Sequence, residues 1–214
     1  MNSREKSVAE SEPTVYVVDD DPGVLDAVQL LLRSVGLRAR AFSSAGDFLE
    51  EYDPDSPGCL ILDLRMPGMG GRELQKRLLE MEAELPIIFV TAHGDVPTAV
   101  EAVKDGAVDF IQKPFPDQKL LDKVNQAFEL DARRRKEREE RRIVELRLKT
   151  LTPREREVMG LVAAGKLNKT IARQMGISQR TVEIHRSRVM EKMEASSVPD
   201  LVHMILKLDS ADSR

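Results

Sequence analysis

Pro57-Gly58-Cys59-Leu60-Ile61-Leu62-Asp63-Leu64-Arg65-Met66-Pro67-Gly68 sets four consecutive apolar residues, Cys59 to Leu62, between two Pro/Gly breaks. A run this short between turn residues reads as a strand buried on both faces. It ends in an acid, Asp63, at the C-terminal tip, where open parallel sheets place their ligands. Outward from it, three more runs end in chemistry: Val15-Tyr16-Val17-Val18 in Asp19-Asp20-Asp21, Ile87-Ile88-Phe89-Val90 in Thr91, and Asp109-Phe110-Ile111-Gln112 in Lys113-Pro114. Acids, a hydroxyl and an amine are thereby expected at one sheet edge.

Helical stretches separate these strands. Asp21-Pro22 supplies a cap and a first-turn proline, and Val24, Leu25, Val28, Leu31, Leu32 and Val35 give one apolar face that Gly36 ends. Leu37, Ala39 and Ala41 alternate with Arg38 and Arg40, as in a strand near a sheet edge. Ser43 or Ser44 caps a short helix through Tyr52. The helix after the glycine-rich loop carries Leu74, Leu78 and Met81, and another runs from Pro97 to Gly106 with Val100 and Val103. Residues 1–13 read as a frayed leader. Strand alternating with helix five times predicts a doubly wound, five-stranded parallel sheet covered on both faces.

Composition divides the chain. Residues 1–131 carry 13 Lys and Arg against 25 Asp and Glu, residues 132–149 carry 9 against 4, and residues 150–214 carry 11 against 8. An acidic half joined to a basic half suggests two tasks, the second on a polyanion. No apolar run approaches the ~18 residues of a membrane span, no secretory signal pattern opens the chain, and the lone Cys59 sits inside a strand. The expectation is a reduced, cytoplasmic protein with no disulfide and no membrane association.

Three crowded carboxylates repel one another unless a hard cation sits among them, and Mg²⁺ takes one or two carboxylates together with waters and phosphate oxygens. With the ion present, Asp63 could attack a phosphoryl donor and become an acyl phosphate. Thr91 would then bond a phosphoryl oxygen and Lys113 would balance its charge. The motifs VVDDD, LILDLRMPGMGG, FVTAHG and DFIQKPF stand here in the order and spacing of the receiver domain of two-component response regulators, which residues 14–131 resemble. That resemblance implies Asp63 as phosphoryl acceptor, Asp20 as direct Mg²⁺ ligand with Asp19 assisting through water, and the Arg65 backbone carbonyl as a further ligand. It also implies Thr91 and Lys113 on the phosphoryl group, a cis Lys113-Pro114 bond, and Phe110 as the aromatic that turns inward as Thr91 moves. Arg65 and His93, two residues beyond Asp63 and Thr91, flank the acyl phosphate in similar domains and are expected to tune its lifetime.

From Pro116-Asp117 onward the chain lacks Gly and Pro as far as Leu151. Leu120, Leu121, Val124 and Phe128 give an apolar face, and residues 133–142 are all charged and rich in helix formers. Glu137 and Arg141 form a favourable i,i+4 pair. One helix from Asp117 to about Lys149, ~50 Å long, and two helices with a hinge in the charged run are both open. Residues 132–149 are assigned to a helical linker.

Thr152-Pro153-Arg154-Glu155 is a capping box ahead of Val158, Leu161 and Val162. Asn168 is expected to cap the next short helix and Ser178 the third, a helix-turn-helix pattern. In the third helix Val182, Val189 and Met193 share the inner face, while Arg180, Glu183, Ile184, Ser187 and Arg188 lie opposite, the surface such a motif lays into the major groove. A helix from Val198 to Leu208 closes the bundle. Residues 150–210 resemble the LuxR-type DNA-binding domain, in the branch where a FixJ-like receiver precedes it. That resemblance points Glu183, Ile184 and Ser187 at base edges, and Lys169, Arg180, Thr181, Arg188 and Lys192 at phosphates.

The fold expected is therefore α/β plus all-α: a receiver, a helical linker and a four-helix helix-turn-helix domain. The function expected is a transcriptional regulator switched when a sensor histidine kinase phosphorylates Asp63 with Mg²⁺. Its other partners are double-stranded promoter DNA and a second copy, with RNA polymerase a candidate. It is not expected to be an enzyme of metabolism. The rivals are a Mg²⁺-dependent phosphohydrolase, which leaves the helix-turn-helix unexplained, and an interaction protein whose switch is silent.

Overall fold

In a computed structural model that describes residues 12–91, 101 and 106–209, five parallel strands form one sheet: β1 (Thr14–Val18), β2 (Arg38–Phe42), β3 (Gly58–Asp63), β4 (Ile87–Thr91) and β5 (Asp109–Gln112). Their order is β2-β1-β3-β4-β5, so the sheet grows outward in both directions from β1 and β3. The chain divides into two units, Met1–Arg134 and Arg135–Arg214.

In the N-terminal unit, side-chain alternation sends successive strand residues to opposite faces. Tyr16, Val18, Leu60, Leu62, Ile87 and Phe89 face one way, against Phe48 of α2 (Ala45–Glu51) and Leu74 and Leu78 of α3 (Gly71–Glu80). Val15, Val17, Cys59, Ile61, Ile88, Val90 and Ile111 face the other, against Val28 and Leu32 of α1 (Pro22–Ser34) and Leu120, Val124 and Ala127 of α4 (Asp117–Lys149). Every residue of β3 is buried, as its unbroken apolar run requires. Tyr16, Phe42, Phe48 and Tyr52 form a ring cluster with centroids 5.1–6.4 Å apart. Each such buried side chain contributes about 1.5–3 kcal/mol.

Helix ends depart from the sequence pattern in small ways. Ser44, not Ser43, caps α2 by accepting from the Asp47 amide at 3.1 Å. Val35 and Met81 follow the apolar rhythm of their helices but stand at the C-caps of α1 and α3, about half exposed. The helix expected from Pro97 to Gly106 lies, apart from its residues 101 and 106, outside the described residues.

The charged run is helical throughout, within α4 from Asp117 to Lys149. The expected Glu137–Arg141 pair is not formed among the described residues; Arg142 instead lies 3.6 Å from Glu139, one turn back. Asp131 accepts the Gly58 amide at 3.0 Å in a buried site, and Arg134 donates to the Glu84 carbonyl at 2.9 Å, fixing α4 at the starts of β3 and β4.

The C-terminal unit packs α5 (Pro153–Ala163), α6 (Asn168–Met175), α7 (Gln179–Met193) and α8 (Val198–Asp209) around Val158, Val162, Ile171, Val182, Val189, Met193 and Leu201. Val144 is 4% exposed within this core and Leu148 packs on it, so helix upstream of residue 150 completes the bundle.

Candidate functional site

Parallel register brings the expected site together at the C-terminal edge. Asp63 pairs with Val90, so Thr91 is the next residue along β4, and Thr91 pairs with Gln112, the residue before Lys113. The Lys113 amide donates to the Thr91 carbonyl at 2.8 Å, and the Lys113-Pro114 bond is cis. Asp19 follows β1, its amide donating to the Phe42 carbonyl at 3.2 Å. Lys113 Nζ reaches both carboxylates, at 2.5 Å from Asp19 Oδ2 and 3.2 Å from Asp63 Oδ1. The Arg65 amide donates to Asp63 Oδ2 at 2.7 Å and the Asp21 amide to Asp19 Oδ1 at 3.0 Å, while the Asp21 carboxylate caps α1.

Asp63 is 6% exposed, Asp19 4% and Thr91 1%. Burial pushes the Asp63 carboxyl above the usual range and the charge of Asp19 adds to it, against the Arg65 amide and the Lys113 ammonium, which pull it down. Burial alone would lower the Lys113 pKa, but its bond to Asp19 and the charges of Asp19 and Asp63 hold it high. One ammonium therefore does not neutralise two buried carboxylates, and the site is short of positive charge.

Asp20 and the Arg65 side chain are exposed, and Phe110 is partly buried against the α2/α3 face. His93 lies outside the described residues. Among the described residues no three acidic, histidine or cysteine side chains are gathered closely enough to enclose a cation. Mg²⁺ needs no such cage. One or two hard carboxylate oxygens would meet its preference, with water and phosphate oxygens completing the shell, and the charge deficit at Asp63 favours it.

Gly71 joins the site although the sequence pattern does not single it out. A Cβ there would stand 2.3 Å from the Asp63 carbonyl oxygen, so only glycine lets α3 start this close behind the acid. The glycine-rich loop is the visible signal; the close approach belongs to tertiary structure.

The second expected surface lies on α7. Ser178 caps it, accepting from the Thr181 amide at 3.0 Å. Val182, Val189 and Met193 are buried, whereas Arg180, Glu183, Ile184, Ser187 and Arg188 are exposed, Ile184 at 44%. Lys169 is exposed at the start of α6, and the Thr181 hydroxyl lies 2.8 Å from that of Ser178. Asn168 does not cap α6. Leu167 holds the cap position without a side-chain bond, and Asn168 Oδ1 accepts Arg186 at 3.1 Å, tying α6 to α7.

Lys192 points inward. Its Nζ lies 2.7 Å from Glu155 Oε2 and 3.2 Å from the Thr150 carbonyl, so a phosphate contact would have to displace these. Glu155 closes the capping box on Thr152. The Lys192 bond first, and the Thr152 amide second, hold the Glu155 pKa down to about 2. Because the folded-state pKa is depressed, this stabilisation is complete above the unfolded carboxyl pKa of about 4.3 and fades as pH falls toward 2. Thermal melts of the C-terminal unit between these pH values should show wild type converging on Glu155→Gln as acid is added. Curves separated by a constant gap would contradict the assignment.

Residues 15–125 match the family described as Response regulator receiver domain, and residues 149–205 match Bacterial regulatory proteins, luxR family. The chain is 46% identical over 198 residues to Nodulation protein W of Bradyrhizobium diazoefficiens, covering 92% of this chain and 86% of that protein. It is 44% identical to Transcriptional regulatory protein FixJ of Azorhizobium caulinodans, covering 90% and 91%. The solved structure of the response regulator StyR superposes with a TM-score of 0.81 at 45% identity, covering 92% of this chain and 99% of that one.

Proposed function

This chain belongs to the response regulators that join a receiver domain to a LuxR-family DNA-binding domain, and from that membership we propose that phosphorylation of Asp63 switches promoter binding through pairing of two copies. The observation that carries the proposal is the buried Asp63 carboxylate at the tip of β3, beside Asp19 and 3.2 Å from Lys113 Nζ. The proposed boundaries are 14–131 for the receiver, 132–149 for the linker and 150–210 for the DNA-binding domain.

Asp19, Asp20, Asp63 and the Arg65 carbonyl are the proposed holders of Mg²⁺, which when bound neutralises phosphoryl charge. An Asp63 oxygen forms a bond to phosphorus while the bond from phosphorus to the donor breaks, the leaving group being an imidazole nitrogen if the donor is a kinase phosphohistidine. Lys113 moves from Asp19 to the transferred group, and Thr91 donates its hydroxyl to a phosphoryl oxygen. The group adds roughly two negative charges. Phe110 responds as Thr91 moves. Such a switch requires a bias of a few kcal/mol toward the paired state. Adding a beryllofluoride mimic with Mg²⁺ should raise both the sedimentation coefficient and the affinity for promoter DNA; no change in either would remove the proposal.

Arg65 is exposed two residues after the acid, and with His93 it is proposed to set how fast water reaches the acyl phosphate. Arg65→Ala and His93→Ala should each change the dephosphorylation rate several-fold while leaving phosphorylation intact. Equal lifetimes would refute this role.

On the DNA, Glu183, Ile184 and Ser187 are proposed to meet base edges, and Lys169, Arg180, Thr181 and Arg188 phosphates, with Lys192 available only after leaving Glu155. Glu183→Ala and Ile184→Ala should relax preference at one base position each, by about 1–3 kcal/mol for a good contact. Arg188→Ala should instead weaken every sequence alike and make the salt slope shallower by about 0.9. Competition binding on a randomised operator library separates the two patterns. The cognate kinase, a cytoplasmic location and contact with RNA polymerase follow as parts of the same proposal.

A further inference from the structure

Beyond residue 135, α4 uses one side to pack on the C-terminal unit. Glu140 takes Lys207 Nζ at 2.6 Å, Val144 is buried, and Arg147 donates to the Met193 carbonyl at 3.2 Å and pairs with Glu194. The opposite side is left over. Arg138, Arg142 and Lys149 recur there at spacings of four and seven, with Arg141 at their flank. Among the described residues Arg138 and Arg141 have no hydrogen-bond or ion-pair partner. The Arg142–Glu139 pair, with side chains 71% and 61% exposed, does little to neutralise the face. Glu139 and Glu145 are its nearby carboxylates among the described residues, while Glu140 is engaged by Lys207. The stripe spans about 17 Å at 1.5 Å per residue, comparable to half a turn of duplex DNA.

We propose that this stripe is a second phosphate-gripping surface, holding the backbone of duplex DNA outside the bases that α7 reads. The inference rests on the reading that the C-terminal unit binds DNA. Three features favour DNA. The stripe is built into the same unit as α7, so it travels with that helix. Its cations are mostly arginines, whose planar forks suit phosphate oxygens. Over residues 135–149 Lys and Arg number 7 against 4 acids, a denser excess than the 11 against 8 of residues 150–214. The other occupant to consider is the acidic N-terminal unit of a second copy, which the partly exposed Ile143 and Leu146 beside the stripe would also suit.

The test uses the full chain and a long random-sequence duplex, titrated between about 50 and 200 mM salt. The variant Arg138→Gln/Arg141→Gln/Arg142→Gln keeps good helix formers, and a thermal melt checks its fold. Its log K against log salt should be shallower than wild type by about 2–3, near 0.9 for each phosphate no longer neutralised, with a more than tenfold loss of affinity at low salt. The corresponding triple lysine variant should stay close to wild type. Parallel slopes for wild type and the glutamine variant would overturn the proposal. Unchanged DNA binding with lost self-association would overturn it in favour of the second copy. If Arg188→Ala lowers the slope and the stripe variant does not, only the stripe fails. If wild type does not bind the duplex at all, the DNA-binding reading fails first.

Discussion

Asp63→Asn is expected to yield a protein that folds, melts at a higher temperature than wild type at neutral pH, and accepts no phosphoryl group. Phosphorylation by a small-molecule donor should fall by ~10³-fold or more, the scale on which losing a covalent nucleophile is felt. The stability gain follows from the sign of the pKa shift. The folded-state pKa of Asp63 is raised, so the acid is most compatible with the fold when protonated. The cost of ionising it appears as pH rises from the unfolded carboxyl range through the folded value. Asparagine mimics the protonated form, still accepts the Arg65 amide, and leaves Lys113 with Asp19. Melting curves of the two proteins should therefore separate at pH 7 and approach one another in acid. An Asp63→Asn protein less stable than wild type at pH 7 would mean the pocket is not short of positive charge.

Gly71→Ala should be the most damaging single methyl group between β3 and α3. Its Cβ would lie 2.3 Å from the Asp63 carbonyl oxygen and 3.1 Å from the carbonyl carbon, both backbone atoms that no rotamer change can move. Either α3 retreats or the acid does. Overpacking of this kind costs about 1–3 kcal/mol. A shift near 1 Å in the reacting carboxylate can slow transfer by about 10²-fold. Gly68→Ala is the control. Gly68 has φ +73° with open space around its missing Cβ, so alanine there meets only the left-handed backbone penalty of about 1–2 kcal/mol and should leave the phosphorylation rate near wild type. Phosphorylation kinetics and melts of both variants decide the matter; equal behaviour of the two would show that α3 does not position Asp63.

The legible parts of this chain are those whose signal is local. The buried run of β3, the alternating Arg38 and Arg40 of β2 at the sheet edge, and the Asp21-Pro22 and Thr152-Pro153 helix starts follow from the order of residue types along a few positions. The meeting of Asp19, Asp63, Thr91 and Lys113 is legible for a less local reason. Each ends a strand or directly follows one, and a parallel sheet gathers strand ends at one edge. What stays hidden depends on contacts between distant segments. Lys192 looks like a free cation in sequence, yet Glu155, on another helix, claims it. Asn168 looks like a cap until Arg186, a turn and a helix away, takes its oxygen. Asp131 gives no hint of accepting the Gly58 amide, 73 positions earlier. Gly71 is visible only as one of several glycines, because a close backbone approach leaves no periodicity.

The central claim is that the side chain at position 63 forms the acyl phosphate with help from a divalent ion. Borohydride reduction of the phosphorylated full chain converts an aspartyl phosphate to homoserine, which peptide sequencing locates. The account predicts homoserine at position 63 alone after incubation with acetyl phosphate and Mg²⁺, and none when a chelator replaces the metal. Homoserine at Asp19 or Asp20, or an equal yield at position 63 without metal, would contradict it.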